Sequence, residues 1–300
     1  MADRATTWLL AAAFLCLGRT PVRAAEFPPG FVAQDVGPSG EWKTIVGLAV
    51  APDGRLFVLE KRGRVYIVQD DWRLASPFID LGLEVLDNGD RGLLGIALDP
   101  NFTTTPWVYL LYSVDPDGDG VDTDVPTFGR LTRYRASAGD PNVADLGSRQ
   151  VLIGATWPTG IPCLHNTHGT GSLRFAEDGT LLVSTGDGAF VSPADAGGRH
   201  PTAFGPGKFP TSEDIGAFRS QWLGSLAGKI LRIDPQTGAG LPSNPYYTGN
   251  AFDNASRVWA YGLRNPYRFQ VRPGTGSLDP AAGRPGVLCI AEVGWVTWRK

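Results

Sequence analysis

The chain has 300 residues, 42% hydrophobic and 19% charged, with 39 Gly and 24 Pro that follow no collagen-like period. This composition excludes fibrous and disordered classes and describes a globular, turn-rich protein of many short strands. A formal net charge of −3 without any Lys/Arg block excludes the electrostatic footprint of a nucleic-acid binder or of a protein held on an anionic membrane surface.

The first segment is an address rather than a fold. Arg4 precedes an apolar run from Trp8 to Leu17, followed by Gly18, Pro21 and the small-residue site Val22-Arg23-Ala24. These read as a secretory signal peptide over residues 1–24, cut near Ala24 or Ala25, and the run is too short to span a bilayer. A buried N-terminal helix is the alternative. Export places the mature protein in the periplasm or outside the cell, with one β-domain expected over residues 26–300. Cys16 leaves with the signal, so Cys163 and Cys289 meet an oxidising compartment, where a disulfide is permitted and not demanded. Their spacing fits no zinc pattern.

From Gly47 the sequence GLAVAPDGRLFVLEKRGRVYIV reads as strand, Asp-Gly turn, strand, Gly turn, strand. Asp-Gly between alternating apolar residues is a strong hairpin signal. The phrase returns more loosely as GLLGIALDPNFTTTPWVYLLYS from Gly92, clearly as GSLRFAEDGTLLVSTGDG from Gly171, and again as NPYRFQVRPGTGSL from Asn265. A β-sandwich also gives short, evenly spaced strands, but imperfect recurrence of one antiparallel unit favours a β-propeller, whose blades bury their faces against each other. At about 40 to 50 residues per blade, roughly four blades are expected. The irregular stretches Ser192 to Pro210 and Gly238 to Asn250 are expected as surface loops at one end, where sites usually sit.

Between the second and third repeats, DPDGDGVDTD runs from Asp115 to Asp124. Asp115, Asp117, Asp119 and Gly120 have the starting spacing of an EF-hand loop, but its twelfth position is Pro126 instead of a bidentate Glu, and the expectation is a solvated loop. The triplet at Asn254 is a glycosylation acceptor only in a eukaryotic secretory pathway.

The chain has three His residues. His168 stands just before the third repeat and Asp187 ends the antiparallel partner strand, so the Glu177-Asp178-Gly179 turn brings both to one sheet edge. A carboxylate there fixes the tautomer and orientation of an imidazole acting as a general base. His165 competes for the same role.

The segments RGLLGIALDPNF, HGTGSLRFAEDGTLLVSTGDG, LAGKILRIDPQTG, LPSNPYYTGN, VWAYGLRNPYRF and IAEVGWVTW occur in this order, and together they resemble the soluble, pyrroloquinoline-quinone-dependent glucose/sorbosone dehydrogenases. The resemblance implies an all-β, six-bladed β-propeller that oxidises sugar hydroxyls by hydride transfer to the quinone, with calcium as a second cofactor and an electron acceptor as partner. It implies His168 as general base and Asp187 as the group that orients it. Arg264 and Asn265 fall where the family contacts the quinone, Gly294 and Trp295 where backbone carbonyls hold calcium, and Asp90 where a polar side chain faces the substrate. The chain departs from the pattern at Gly169-Thr170 after the His and in lacking acidic residues after Trp295. The family's last blades, which carry further Lys and Arg contacts to the cofactor, are absent. The 300-residue form is therefore expected to be inactive or weakly active, and poorly soluble. A non-enzymatic binding propeller and a propeller lactonase or metal hydrolase are the rival readings.

Overall fold

The computed structural model describes residues 27–32, 34, 36, 37, 42–121, 123–192 and 194–294; the expected signal segment 1–24 and Trp295 lie outside them. The chain divides into two compact units, Met1–Asp35 and Val36–Lys300. In the first, the amide of Phe31 donates to the carbonyl of Pro28 (3.0 Å), closing a turn.

The second unit is a succession of antiparallel sheets. The first holds β1 (Ile45–Val50), β2 (Leu56–Glu60), β3 (Arg64–Gln69) and β4 (Trp72–Arg73) in that order, with β5 (Ile79–Asp80) also on β3. The second holds β6 (Leu93–Leu98), β7 (Trp107–Ser113) and β8 (Thr127–Ala136), whose far edge is shared by β9 (Ala144–Ile153) and β10 (Ile161–Cys163). The third is the four-stranded meander β11 (Thr170–Phe175), β12 (Leu181–Thr185), β13 (Lys229–Ile233), β14 (Val258–Tyr261). A two-stranded sheet follows, β15 (Pro266–Val271) with β16 (Leu288–Glu292). The one α-helix among the described residues, α1, is the single turn Asn254–Arg257.

The opening strands of successive sheets adjoin, β1 beside β6, β6 beside β11 and β11 beside β15, which is how propeller blades follow one another. The four sheets occupy the four blade positions expected from the repeats. None closes on itself.

Sequence alternation explains the face-to-face packing. Successive residues of a strand point to opposite faces, so in β7 Val108, Leu110 and Tyr112 enter the core between the first two sheets, while Tyr109 and Leu111 enter the next. In β12, Leu181 and Val183 face the second sheet and Leu182 faces Phe269 of β15. Central strands covered on both faces read as continuous apolar runs, and each fully buried Leu or Val contributes about 1.5–3 kcal/mol relative to exposure.

The Asp-Gly turns form as read. Asp53 caps the amide of Arg55 at 3.2 Å and pairs with its guanidinium at 2.8 Å. Its counterpart Asp178 accepts from the Thr180 amide at 3.0 Å and pairs with Arg232 at 2.7 Å, both side chains fully buried. Arg232 also donates to Asn244 Oδ1 (2.8 Å) and the Pro280 carbonyl (2.8 Å), and Asn244 returns its amide to the carbonyls of Arg232 (2.7 Å) and Ser256 (2.8 Å). The LPSNP stretch is thus a strut that ties the loop after β13 to its sheet, and the loop is anchored to the core rather than simply laid on the surface.

One open alternative is decided and one expectation is corrected. Cys163 is buried in β10, Cys289 is exposed in β16, and both are free thiols, so no disulfide joins them. The aspartate loop is not wholly solvated, because Asp115 is only 6% exposed. The side chain of Asn254 starts α1 and donates to the Gly224 carbonyl at 2.8 Å. No helix of the described residues is long and apolar enough to cross a membrane.

Candidate active site

All four strands of the third sheet deliver a residue to the same end. His168 precedes β11, Asp187 follows β12, Gly228 precedes β13, and Arg264-Asn265 follow β14. His168 Nδ1 lies 2.9 Å from Asp187 Oδ1, both side chains about 95% buried. The same carboxylate oxygen accepts from the Ala189 amide at 3.0 Å, which marks Asp187 as the acceptor and Nδ1 as the nitrogen that carries the proton. Among the described residues nothing bonds Nε2 of His168.

The backbone explains why the two meet. His168 has φ of +52°, a left-handed conformation uncommon for a side-chain-bearing residue. Its carbonyl accepts from the Gly188 amide at 2.8 Å. A Cβ on Gly186 would stand 2.3 Å from that carbonyl oxygen, and one on Gly188, itself at φ +62°, would stand 2.3 Å from the Pro162 carbonyl oxygen. Gly-Asp-Gly is therefore the sequence that lets Asp187 lie against the His168 turn.

Arg264 joins the pair through its own carbonyl, which accepts from the Asp187 amide at 2.8 Å. Its guanidinium donates to the carbonyls of Val293 (3.0 Å) and Gly294 (3.1 Å). The Asn265 carbonyl accepts from the Val293 amide at 3.0 Å, and Arg264 and Asn265 are 9% and 5% exposed. Asp90 is exposed, and its amide donates to the Asn166 carbonyl (2.8 Å), which puts it beside the loop that carries His168. The structure thus gathers His168, Asp187, Arg264, Asn265 and Gly294 at one sheet end, with Asp90 on the adjoining loop.

His165 sits differently. Its Nδ1 is 3.2 Å from Thr167 Oγ1, its ring packs edge-on to Phe190 with 4.5 Å between centroids, and burial pulls its pKa below the usual imidazole value. No carboxylate orients it among the described residues.

Several buried charges under the site escape a sequence reading. Arg91 is wholly buried and ties down the strand before His168 by donating to the carbonyls of Cys163 (2.9 Å) and His165 (3.1 Å). Arg219 donates to the carbonyls of Asp187 (3.1 Å), Gly188 (3.1 Å) and Glu213 (2.8 Å). Lys229 donates to the carbonyls of Arg219 (2.9 Å), Ser220 (2.9 Å) and Ala227 (2.7 Å), and burial brings its pKa down to about 7. Burial likewise pushes the Glu213 carboxyl up to about 7. The hydrogen-bond partners of these three side chains are main-chain carbonyls, some from neighbouring turns and some from distant loops, which leave no side-chain pattern to read; the only hint is that Lys229 stands in an otherwise apolar stretch.

The donor set suits an acidic quinone, with Arg264 supplying charge, Asn265 beside it, and Nε2 of His168 unbonded at the same end. It suits calcium at Gly294 poorly. Carbonyl oxygen is the right ligand type, but here the Gly294 carbonyl accepts from a guanidinium, whose positive charge repels a second cation. The described residues do not form a calcium site there.

Among proteins of known sequence, the Hedgehog-interacting protein of Homo sapiens is 28% identical over 239 residues, 75% of this chain and 30% of that protein. The crystal structure of an oxidoreductase from Thermus thermophilus, described as a glucose dehydrogenase, superimposes with a TM-score of 0.56 at 28% identity. The match covers 79% of this chain and 56% of that one. The PQQ-bound aldose sugar dehydrogenase of Streptomyces coelicolor shares the fold, with a TM-score of 0.51 at 24% identity over 75% of this chain and 52% of its own. The chain thus spans about a third of the first relative and about half of each of the two structures. Residues 42–280 match the family described as Glucose / Sorbosone dehydrogenase, and on that match the chain belongs to the glucose/sorbosone dehydrogenase family.

Proposed function

We propose that this chain carries the hydroxyl-oxidising centre of an exported quinoprotein sugar dehydrogenase. The observation that carries the reading is the buried His168–Asp187 pair with Nε2 unengaged. A carboxylate on Nδ1 presents Nε2 as the proton acceptor and stabilises the imidazolium that forms as the sugar O–H proton moves to it. Burial excludes water from that transfer, and the left-handed turn at His168, fixed by Gly186 and Gly188, sets where the ring points. Arg264 and Asn265 are the residues that hold the cofactor's acidic edge. Pyrroloquinoline quinone, when bound, supplies the two-electron acceptor for the hydride leaving the same carbon. Asp90 borders the sugar. The signal segment 1–24 directs the protein to the periplasm or the exterior, and an electron acceptor reoxidises it.

The likeness to Hedgehog-interacting protein favours a second reading, a propeller that binds a protein partner without chemistry. The two part at the quinone. Titration with pyrroloquinoline quinone of a form extended through the family's remaining blades should give a difference spectrum that Arg264→Ala weakens and His168→Ala leaves in place. Sugar-dependent reduction of the bound quinone should fall about 100- to 10,000-fold in His168→Ala and little in His165→Ala. Absence of quinone binding by the extended wild-type form overturns the dehydrogenase reading, and loss of reduction in His165→Ala alone assigns the base to the other imidazole.

A further inference from the structure

The connection between β7 and β8 carries a feature that the dehydrogenase chemistry does not use. Carboxylate oxygens of Asp115, Asp117 and Asp119 lie within 4.8 Å of one another. Asp117 and Asp119 are exposed, and among the described residues none of the three forms an ion pair. Such a cluster alone is common on surfaces. Asp115 is the uncommon member, because it is only 6% exposed and its two oxygens are used unequally. Oδ2 accepts from the Gly120 amide at 2.8 Å, whereas Oδ1 is buried with no hydrogen-bond partner.

A carboxylate oxygen removed from water without a partner is costly to keep, and buried charges are normally paired or bound to a metal. Two further carboxylates at this distance would worsen the repulsion unless a cation sits among them. We propose that Asp115, Asp117 and Asp119 bind a divalent cation, and that the cation is calcium. All donors are hard oxygens and the loop contains neither His nor Cys, which disfavours transition metals. Its Gly-rich, irregular geometry suits the adaptable six- to eight-oxygen shell of calcium better than the strict octahedron of magnesium. The bidentate Glu of an EF-hand is missing, so the remaining ligands are water, and affinity falls on the order of 10⁻⁴ to 10⁻³ M, the range of extracellular modules.

The site's place in the fold gives the ion its work. The Asp115 amide donates to the Glu84 carbonyl at 2.8 Å, Val114 forms an isolated bridge with Val85, and Arg62 donates to the Gly120 carbonyl. Calcium therefore fastens the β7–β8 connection to the segment between the first two sheets. The same connection runs on to Asp124, which lies within electrostatic reach of Arg91, His165 and His200 beside the candidate active site.

The test uses the metal alone, so its outcome is independent of quinone or sugar chemistry. Chelator-treated protein titrated with calcium by calorimetry should show one site, with a rise in thermal midpoint over the same range. Asp117→Asn with Asp119→Asn alters only exposed side chains, so folding is checked by circular dichroism, and binding should weaken at least about 10-fold. Magnesium should bind more weakly than calcium. No calcium binding by the wild-type protein up to about 10 mM, well above the expected range, overturns the proposal, as does binding that the double substitution leaves unchanged.

Discussion

At the residue scale, the pair proposed to carry the chemistry is also the most legible. His168 and Asp187 lie at opposite ends of one hairpin, so the Asp-Gly turn between them fixes their meeting whatever the rest of the molecule does. Arg91, Arg219 and Lys229 are hard to read for a different reason, since their partners are main-chain carbonyls, which carry no side-chain signature. The cysteines show the same limit, because pairing depends on a Cα separation that spacing cannot supply. Their contrasting surroundings lead to a prediction. Burial pushes the Cys163 thiol up to about 11, whereas Cys289 is exposed. At about pH 8 a thiol-specific reagent should label Cys289 in the native protein and spare Cys163 until denaturant is added, because the thiolate is the reactive form. Peptide mass spectrometry reads this directly, and rapid native labelling of Cys163 would show that β10 opens.

At the scale of elements, the turn after β12 and the strand β13 are supported by Glu213, Arg219 and Lys229, and burial brings both Glu213 and Lys229 to about 7. The folded protein holds the Glu213 proton up to about pH 7, while the unfolded chain releases it near 4.5, the ordinary carboxyl value. Between these values the unfolded state binds fewer protons, so this group lowers stability as pH rises. Lys229 works in the other direction: its folded value is about 7 against 10.5 unfolded, so stability rises with pH between them. Together they place a local minimum near neutrality. Thermal midpoints measured from about pH 5 to 7 should fall in the wild-type protein relative to Glu213→Gln, which has no carboxyl to ionise. Parallel pH curves for the two proteins would remove Glu213 from this account. The hairpins are readable at this scale because turn chemistry is local, whereas the loop after β13 reads as simple surface because its anchor, Asn244 on buried Arg232, joins residues from separate segments.

At the scale of the whole molecule, the repeat predicts the blades, and alternation explains why they stack. Odd and even residues of β7, β12 and β13 serve different cores, so the second and third sheets each hold a neighbour on both sides. Local stability should follow that layering, because opening free energies rise with buried apolar contact. Strands β12 and β13 are buried at every position and paired on both edges, whereas β16 alternates half-buried with exposed residues and pairs only with β15 among the described strands. The half-exposed β1 lies between these limits. Native-state hydrogen exchange followed by mass spectrometry should therefore find the slowest amides in β7, β8, β12 and β13, faster exchange in β1, and the fastest in β16. The candidate site then stands on rigid ground on one side, through His168 and Asp187, and on softer ground on the other, through the contacts of Arg264 with residues 293 and 294. Quinone bound at Arg264 should slow exchange in β15 and β16 and leave β12 unchanged. Equal protection of β16 and β12 in the ligand-free protein would mean that the last described sheet is covered by contacts beyond those residues.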